Sequence, residues 1–313
     1  MVEIPSFELS GAGEHDYLYI EKTNANTPWV ARALARHAGV PVRDVGYAGM
    51  KDRRAVTRQW FSVRRPGGAK ANWQQFELEG VSILESRRHN RKLRRGAHRG
   101  NHFQLLIRDL ADPNATLQGR LEAIAETGVP NYFGAQRFGR NGNNIHLAQR
   151  MFTRKRMPRE QRSIALSAAR SLIFNDVLSA RVSAGSWHTI LQGDIANLDG
   201  SGSIFPVVDA DAELQQRCRD FDIHPTGPLW GKGAPTTSGE TAELEKQAAR
   251  HRQELTTGLE RTTDESRRAL RLIVQDLQWD LHEDSLLLKF SLTRGSFATA
   301  VLRELITYTE PRQ

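Results

Sequence analysis

Residues 101–108, with the sequence Asn-His-Phe-Gln-Leu-Leu-Ile-Arg, form the segment that decides the fold class. Apolar and polar side chains alternate along it, so that Phe103, Leu105 and Ile107 share one face, which is typical of a half-buried β-strand. Further short apolar or alternating runs lie at residues 17–20, 60–63, 76–78 and 81–83. The N-terminal part of the chain is therefore predicted to fold around a sheet.

One helix is predicted among these strands. Thr27 is the expected N-cap and Pro28 suits the first helical position, so the helix should run from about Trp29 to His37. Gly39 is expected to end it. A helix inserted among alternating strands indicates an α+β sheet domain.

The sequence pattern changes near residue 127. Helical spacing dominates residues 163–182, and a loop-rich stretch with several glycines and prolines follows over 199–233. A charged helix is predicted for 241–255. This part of the chain is therefore expected to be mostly helical.

The C-terminal part returns to the earlier pattern, with a strand predicted over 285–292 and a closing helix over 297–306. This order predicts a discontinuous α+β core, residues 1–126 and 269–313, which has a core sheet with flanking helices. A mostly helical insertion domain, residues 127–268, interrupts it.

Composition places the chain among soluble globular proteins. Of its 313 residues, 39% are hydrophobic and 26% are charged, and the mean hydropathy is -0.54. No apolar run approaches the ~20 residues of a membrane helix, and no secretory signal precedes the first strand. The lone Cys218 excludes an intrachain disulfide framework and a Cys-rich zinc site. We expect a cytoplasmic monomer with no obligatory protein partner and no membrane association.

Positive charge is concentrated in one segment. The chain has 44 Lys+Arg and 36 Asp+Glu, yet residues 51–108 alone hold fifteen basic and four acidic residues. Such a block favours a polyanion-binding face. The candidate polyanion contacts in its densest part are Arg91, Lys92, Arg94, Arg95 and Arg99. A solvated loop, or a surface that pairs with the acidic insertion, is the alternative.

Residues 46–60 contain the first candidate for chemistry. Two glycines, Gly46 and Gly49, flank a short stretch just before Lys51 and Asp52, which indicates a tight loop that a substrate backbone can approach closely. Asp52 is the candidate reactive carboxylate, and the cations around it could bind phosphates. A structural aspartate that neutralises a basic loop is an equally weighted alternative.

Asn101 and Phe103 form a second candidate pair. An asparagine amide can read the edge of a base, and an aromatic ring two residues later can stack on one. On a strand the two side chains point the same way. The alternative is a turn at Asn101 and core packing at Phe103. Residues 129–139, rich in aromatics and amides, suit an RNA surface or a domain junction equally well.

Several signatures are missing from the sequence. It contains no G-x-x-x-x-G-K-[ST] phosphate loop, no dinucleotide fingerprint and no H-E-x-x-H motif. Cys218 has no neighbouring His and is expected to be an incidental buried thiol, which argues against a cysteine nucleophile. We therefore expect no metal and no cofactor.

Four long blocks resemble the TruD family of tRNA pseudouridine synthases. They occur in the order found in the family and span most of the chain, so a chance match is excluded. The blocks lie at residues 46–63, 91–101, 129–139 and 295–305.

The resemblance implies a pseudouridine synthase core with a largely helical TruD insertion, and it implies uridine 13 of tRNA as the substrate. The Asp of the G-x-K-D motif, the family's catalytic carboxylate, falls on Asp52. The Asn and Phe of the G-N-x-F motif, which line the uridine pocket, fall on Asn101 and Phe103. Lys51 is expected to orient or pair with Asp52 as part of the substrate site.

One departure accompanies the resemblance. Family members usually carry a further N-terminal stretch with an acidic-aromatic motif of the E-D-F type near the active site. This chain begins at about the point where that motif should have ended.

The alternatives to a synthase are a non-catalytic RNA-binding protein, for example one used in ribosome assembly, and a metal-dependent nuclease that uses Asp52. The nuclease would need more clustered carboxylates than this loop offers.

Overall fold

The computed structural model describes residues 1–65, 71–110, 115–153 and 157–307. The chain divides into two compact units, a first unit of Met1–Pro113 with Gln275–Gly295 and a second unit of Asn114–Val274 with Ser296–Gln313. The end of the predicted core, residues 308–313, lies outside the described residues.

Strands occur in both units. In chain order they are β1 Val2–Pro5, β2 His15–Thr23, β3 Val45–Tyr47, β4 Val56–Arg64, β5 Val81–His89, β6 His98–Ile107, β7 Val129–Pro130, β8 Ile195–Leu198, β9 Ile204–Pro206, β10 Ile223–Leu229, β11 Ser266–Ala269, β12 Arg271–Leu272, β13 Gln275–Leu281 and β14 Leu286–Thr293.

The helices are fewer and lie mostly in the second unit. They are α1 Thr27–His37, α2 Ala115–Thr127, α3 Asn143–Thr153, α4 Arg159–Ser183, α5 Ala212–Arg219, α6 Gly239–Ala249, α7 Gln253–Glu260 and α8 Ala298–Leu305. None of these helices combines the length and the apolar character needed to cross a membrane.

The first unit is built on an eight-stranded sheet. Seven strands follow the order β13-β14-β6-β1-β4-β2-β5, and β3 is the eighth, paired with β4. β1 runs parallel to β4, and the other described pairings are antiparallel. The strand predicted over 101–108 is confirmed as most of β6, between β14 and β1. In this register Phe103 lies opposite Phe290, and Asn101 lies opposite Glu3.

Helix α1 covers one face of this sheet. Its buried side chains, Val30 and Leu34 among them, recur at helical spacing and pack against Leu18, Ile20 and Phe61 of β2 and β4. The helix begins one residue earlier than predicted, with Asn26 rather than Thr27 at the N-cap position. The physical reason lies in the tertiary structure, because the Thr27 hydroxyl bonds to Gln59 and to the main chain of Lys51 instead of capping the helix.

One predicted strand is wrong. Residues 76–78 follow a single 3-10 turn at Trp73–Gln75 and form only an isolated bridge from Leu78 to Val81. The alternating pattern arises because Trp73, Phe76 and Leu78 pack on the α1 side of the sheet as a loop.

The second unit combines helices with a four-stranded sheet ordered β11-β10-β8-β9 and a short β7-β12 pair. The predicted loop over 199–233 in fact contains β9, α5 and β10. Its prolines, which are uncommon within strands, misled the prediction. β10 pairs with β8 over residues 223–225 and with β11 over residues 226–229, so its strand conformation depends on distant partners. The helix predicted over 241–255 is divided into α6 and α7 by a 3-10 turn at Arg250–Arg252.

The boundaries of the compact units differ from those of the predicted domains. Helices α2 and α8, which the sequence assigned to the core, belong to the second unit and pack against each other there. Their apolar sides explain this, since Leu121 of α2 and Val301 of α8 are fully buried. Strands β13 and β14 remain with the sheet of the first unit.

Candidate active site

The loop between β3 and β4 carries Asp52 at the surface of the first unit. Before Asp52 in the chain, Gly46 lies very close to the basic segment, residues 91–99. A Cβ added to this glycine would sit 2.2 Å from the carbonyl oxygen of Leu93. The sequence predicted that a substrate backbone approaches the loop closely. At this glycine the close neighbour is the protein's own main chain. The amide of Gly96 also donates a hydrogen bond to the carbonyl of Ala48 at 2.8 Å. These contacts brace the loop just before Asp52.

Lys51 is buried beneath the loop. Its Nζ lies 2.8 Å from Oε2 of Glu3, and it donates a hydrogen bond to Oδ1 of Asn101 at 2.6 Å. The Lys51 side chain is 2% exposed and the Glu3 side chain 0%. The sequence suggested a Lys51 that contacts substrate or Asp52, and the ammonium faces inward instead. The reason is that β1 and β6, which are neighbours in the sheet, supply a carboxylate and an amide oxygen for it.

Burial shifts the protonation equilibria around this ion pair. Burial raises the pKa of Glu3 above its usual value, and the charge and hydrogen bond of Lys51 act in the opposite direction. Burial also lowers the pKa of His98 to about 4, with further contributions from Lys51 and Arg294. His98 is therefore neutral at pH 7.

A closed set of hydrogen bonds fixes the main chain around Lys51. The amide of Lys51 donates to Oγ1 of Thr27, the Thr27 hydroxyl donates to Oε1 of Gln59, and Nε2 of Gln59 donates to the carbonyl of Gly49, each at 3.1 Å. Thr27 and Gln59 are almost fully buried. Because buried polar groups need partners, this network strongly specifies the path of the loop.

Lys22 holds Asp52 from the other side. Its fully buried side chain donates a hydrogen bond from Nζ to the main-chain carbonyl of Asp52 at 2.9 Å. Burial lowers the pKa of Lys22, and the charge of Asp52 partly opposes this shift. Among the described residues, no hydrogen bond or ion pair engages the Asp52 carboxylate. The loop thus presents an exposed carboxylate on an immobilised main chain.

Phe103 packs against the sheet rather than standing free. Its ring stacks on Phe290 of β14, with centroids 5.4 Å apart and planes inclined by 22°, and 8% of the residue is exposed. Asn101 lies two residues earlier in the same strand, so both side chains are on one side of β6. The core packing considered for Phe103 is observed, and its contact with a base stays a prediction.

The basic segment, residues 91–99, is divided by its contacts. Arg91, Arg94 and Arg99 are exposed and form no ion pair in the described part of the first unit. Arg95 is also exposed, but it donates a hydrogen bond to the Tyr47 hydroxyl at 2.6 Å and lies over that ring at 3.8 Å. Lys92 is exposed and donates to a main-chain carbonyl, that of Arg43.

Glu3, Lys22 and Gln59 were not predicted as residues of the site. A signal for Lys22 exists, because alternation along β2 places it on the same face as Leu18 and Ile20, where a cation is unusual. For Glu3 and Gln59 the sequence carries no comparable signal.

Two expectations concern groups outside the loop. Cys218 is buried at 2% exposure near the end of α5, and burial raises the pKa of its thiol, as expected for an incidental buried cysteine. Within the described ranges, no cluster of three or more His, Cys, Asp or Glu side chains is arranged to hold a metal ion.

Comparison with known proteins identifies the family. The family model for tRNA pseudouridine synthase D (TruD) matches residues 1–156 and 150–305. A tRNA pseudouridine synthase D from Methylococcus capsulatus is 48% identical over 310 residues, which cover 98% of this chain and 88% of that protein. The corresponding protein of Aeromonas salmonicida is 45% identical over 312 residues, covering 99% and 88%.

The fold agrees with this match. A crystal structure assigned to tRNA pseudouridine synthase D of Methanosarcina mazei superposes with a TM-score of 0.74 at 21% identity, covering 97% of this chain and 90% of that chain. The chain belongs to the TruD family of tRNA pseudouridine synthases. The resemblance seen in the sequence and the predicted α+β class are both confirmed.

Proposed function

We propose that this chain converts uridine 13 of tRNA to pseudouridine and that the Asp52 carboxylate carries the reaction. Membership of the TruD family supports the reaction class, since the relatives are named as tRNA pseudouridine synthases. The G-x-K-D motif supports the choice of Asp52.

The observation that carries the assignment is the state of the Asp52 side chain. Buried groups fix the main chain on both sides of it, yet the carboxylate is exposed and unpaired among the described residues. An aspartate that merely neutralised a basic loop would pair with the cations beside it. Lys51 and Arg58 instead pair with Glu3 at 2.8 Å and with Glu21 at 2.7 Å.

The reaction is an isomerisation that needs one carboxylate. The N1–C1′ bond of uridine breaks, the base turns, and C5 bonds to C1′, while the proton lost from C5 is balanced by the proton gained at N1. Asp52 acts either as a nucleophile at C1′ or as a base at C2′. Oxidation state does not change and no external group is transferred, so the proposal includes no cofactor.

The neighbouring residues take supporting roles in this proposal. Lys51 positions the loop and Asn101, because its ammonium binds the amide oxygen. That contact leaves the Asn101 amide nitrogen to donate to a carbonyl of the uracil ring. The base must leave its stack to reach Asp52, which costs a few kcal/mol, and contact with Phe103 would recover part of that cost.

The test is turnover on a tRNA transcript with wild type and Asp52→Asn, with pseudouridine mapped by carbodiimide modification and primer extension. We expect pseudouridine at position 13 with wild type and none with Asp52→Asn, because an amide acts neither as nucleophile nor as base. Asp280→Asn, the same change at an exposed aspartate of β13, is the matched control and should keep full activity.

Each outcome has a separate meaning. Pseudouridine at another position would contradict the choice of uridine 13 and leave the enzyme class intact. Activity in Asp52→Asn would remove Asp52 from the chemistry. An inactive wild type that still binds tRNA would favour the non-catalytic RNA-binding protein.

A further inference from the structure

A cavity opens in the first unit beside β2 and the end of β5. Its volume is about 780 Å³, and Asp52, Lys51, Asn101 and Phe103 are not among the residues that line it. The N-terminal loop contributes Phe7 to its wall, β2 contributes His15 and Tyr17, and the end of β5 contributes His89. A volume of this size falls within the ~300–1,000 Å³ range of small-ligand sites.

The wall of this cavity is aromatic. The rings of Tyr17 and His89 meet edge to face at 4.9 Å and 77°, and those of Phe7 and Tyr17 meet at 5.5 Å and 72°. The Phe7 and His89 rings are half-buried and are tilted relative to each other rather than stacked in parallel. Neither ring therefore covers the face of the other. Ring faces of this kind are the surfaces on which unpaired bases stack.

The wall of the cavity contains a buried polar atom for which the described residues provide no hydrogen-bond partner. Nδ1 of His15 is buried and makes no hydrogen bond among the described residues, and the residue is only 6% exposed. Because buried polar atoms in native proteins are almost always paired, this atom is suited to a ligand or an ordered water.

The inside of the cavity and its rim differ in charge. Arg91 and Arg94 line the cavity, are exposed, and form no ion pair in the described part of this unit, whereas Glu8 is the acidic residue at the edge. Burial lowers the pKa of both His15 and His89, and Arg64 and Arg91 respectively add to the shift. The interior is thus uncharged at pH 7 and the rim is cationic, a pattern that matches a base attached to a phosphate.

We propose that this cavity binds one unstacked nucleotide of the RNA substrate, distinct from the nucleotide that is isomerised. Its base contacts Phe7 and His89, and its phosphate pairs with Arg91 and Arg94. The identity of the RNA rests on the proposed function. Arg91 and Arg94 belong to the basic segment, which braces the loop that carries Asp52 through the hydrogen bond from Gly96 to Ala48. A nucleotide held here therefore secures the RNA beside that loop.

The test couples the cavity to one position of the RNA. All proteins carry Asp52→Asn, so that only binding is measured and a failure of the catalytic assignment has no effect on the result. A tRNA series with single abasic nucleotides is titrated against this parent, against Phe7→Ala, and against Trp29→Ala as a matched exposed aromatic outside the cavity.

We expect one abasic position other than 13 to weaken binding by about tenfold in the parent. Phe7→Ala should weaken binding of intact tRNA to a similar extent, and it should make the protein insensitive to that abasic position, because the two changes remove the same contact. Trp29→Ala should bind like the parent and remain sensitive.

Three results would overturn the proposal. If the loss of tRNA affinity caused by Phe7→Ala simply added to the loss caused by each abasic nucleotide, at every position, no base would enter the cavity. Coupling to position 13 would make the cavity the target pocket. Saturable binding of UMP or AMP that Phe7→Ala abolishes, without any change in tRNA affinity, would assign the cavity to a free nucleotide.

A second variant covers the case in which Phe7→Ala fails to fold. Ala97→Phe adds a ring at a partly buried residue that lines the cavity. It should lose the same abasic sensitivity, with an unchanged circular dichroism spectrum. Retained sensitivity in the folded Ala97→Phe protein would refute the proposal.

Discussion

The ammonium of Lys22 donates a hydrogen bond to the main-chain carbonyl of Asp52 at 2.9 Å, from a position that solvent does not reach. A buried cation of lowered pKa costs stability, because burial removes its hydration. A neutral side chain at this position would give a higher free energy of unfolding. The lysine therefore indicates that holding Asp52 in place matters more to the protein than that gain in stability.

Lys22→Met should therefore separate stability from activity. Methionine fills much of the volume of the lysine stem but cannot bond to the Asp52 carbonyl, so we expect an unchanged or higher melting temperature. The rate constant kcat should fall by about tenfold, or ~1.4 kcal/mol in activation free energy, while KM stays within about twofold. Steady-state kinetics and thermal unfolding measure both. Lys289→Met, at a partly exposed lysine of β14, is the control, and an unchanged kcat in Lys22→Met would contradict the positioning role.

Phe103→Leu and Phe290→Leu test whether the stacked pair has one functional member. Both changes remove a ring from the same contact, so both should lower the free energy of unfolding. Only Phe103→Leu should reduce turnover, by about tenfold, since only Phe103 is assigned to the flipped base. Binding of whole tRNA should change little in either variant, because phosphate contacts dominate it. Equal turnover in the two variants would return Phe103 to a purely structural role.

The salt dependence of tRNA binding should distinguish free from engaged arginines. Arg94→Ala should reduce the slope of log K against log salt by ~0.7 to 0.9, as expected when one phosphate contact is lost. Arg95→Ala should change it less, because Arg95 is tied to Tyr47. Arg87→Ala, at an exposed arginine paired with Glu85, is the matched control. An identical slope in Arg94→Ala would indicate a solvated loop.

His98 should make the protein less stable in acid. Its pKa is about 4 in the folded protein against 6.5 for an ordinary histidine. Between these values the unfolded chain binds a proton that the folded protein does not, so the free energy of unfolding rises with pH from about 4 to 6.5. Urea unfolding of His98→Gln should show a shallower rise over this window than wild type. His251→Gln, at an exposed histidine, should keep the wild-type dependence, and parallel curves for wild type and His98→Gln would refute the assignment.

Local pattern was sufficient for elements whose apolar side chains face a core. The alternation at residues 101–108 and the apolar run at 60–63 are confirmed as β6 and β4, and the helical spacing over 163–182 is confirmed within α4. Alternation indicates the one buried face of β6, whereas the continuous apolar run of β4 belongs to a strand that is buried on both faces. Local pattern failed at residues 76–78, where apolar side chains pack on the α1 side of the sheet as a loop. It also failed in β10, where pairing with distant strands, rather than local propensity, decides the conformation.

The sequence by itself determined the family and the candidate carboxylate, because the motif around Asp52 is contiguous in the chain. Only the tertiary structure decided what surrounds it. Glu3 meets Lys51 because β1 inserts between β4 and β6, and Lys22 reaches Asp52 across the sheet. In sequence Glu3 and Lys51 look like ordinary surface residues, and only the alternation along β2 indicates that Lys22 is buried. Their burial, and with it their partners and pKa shifts, arises only when strands far apart in the chain become neighbours.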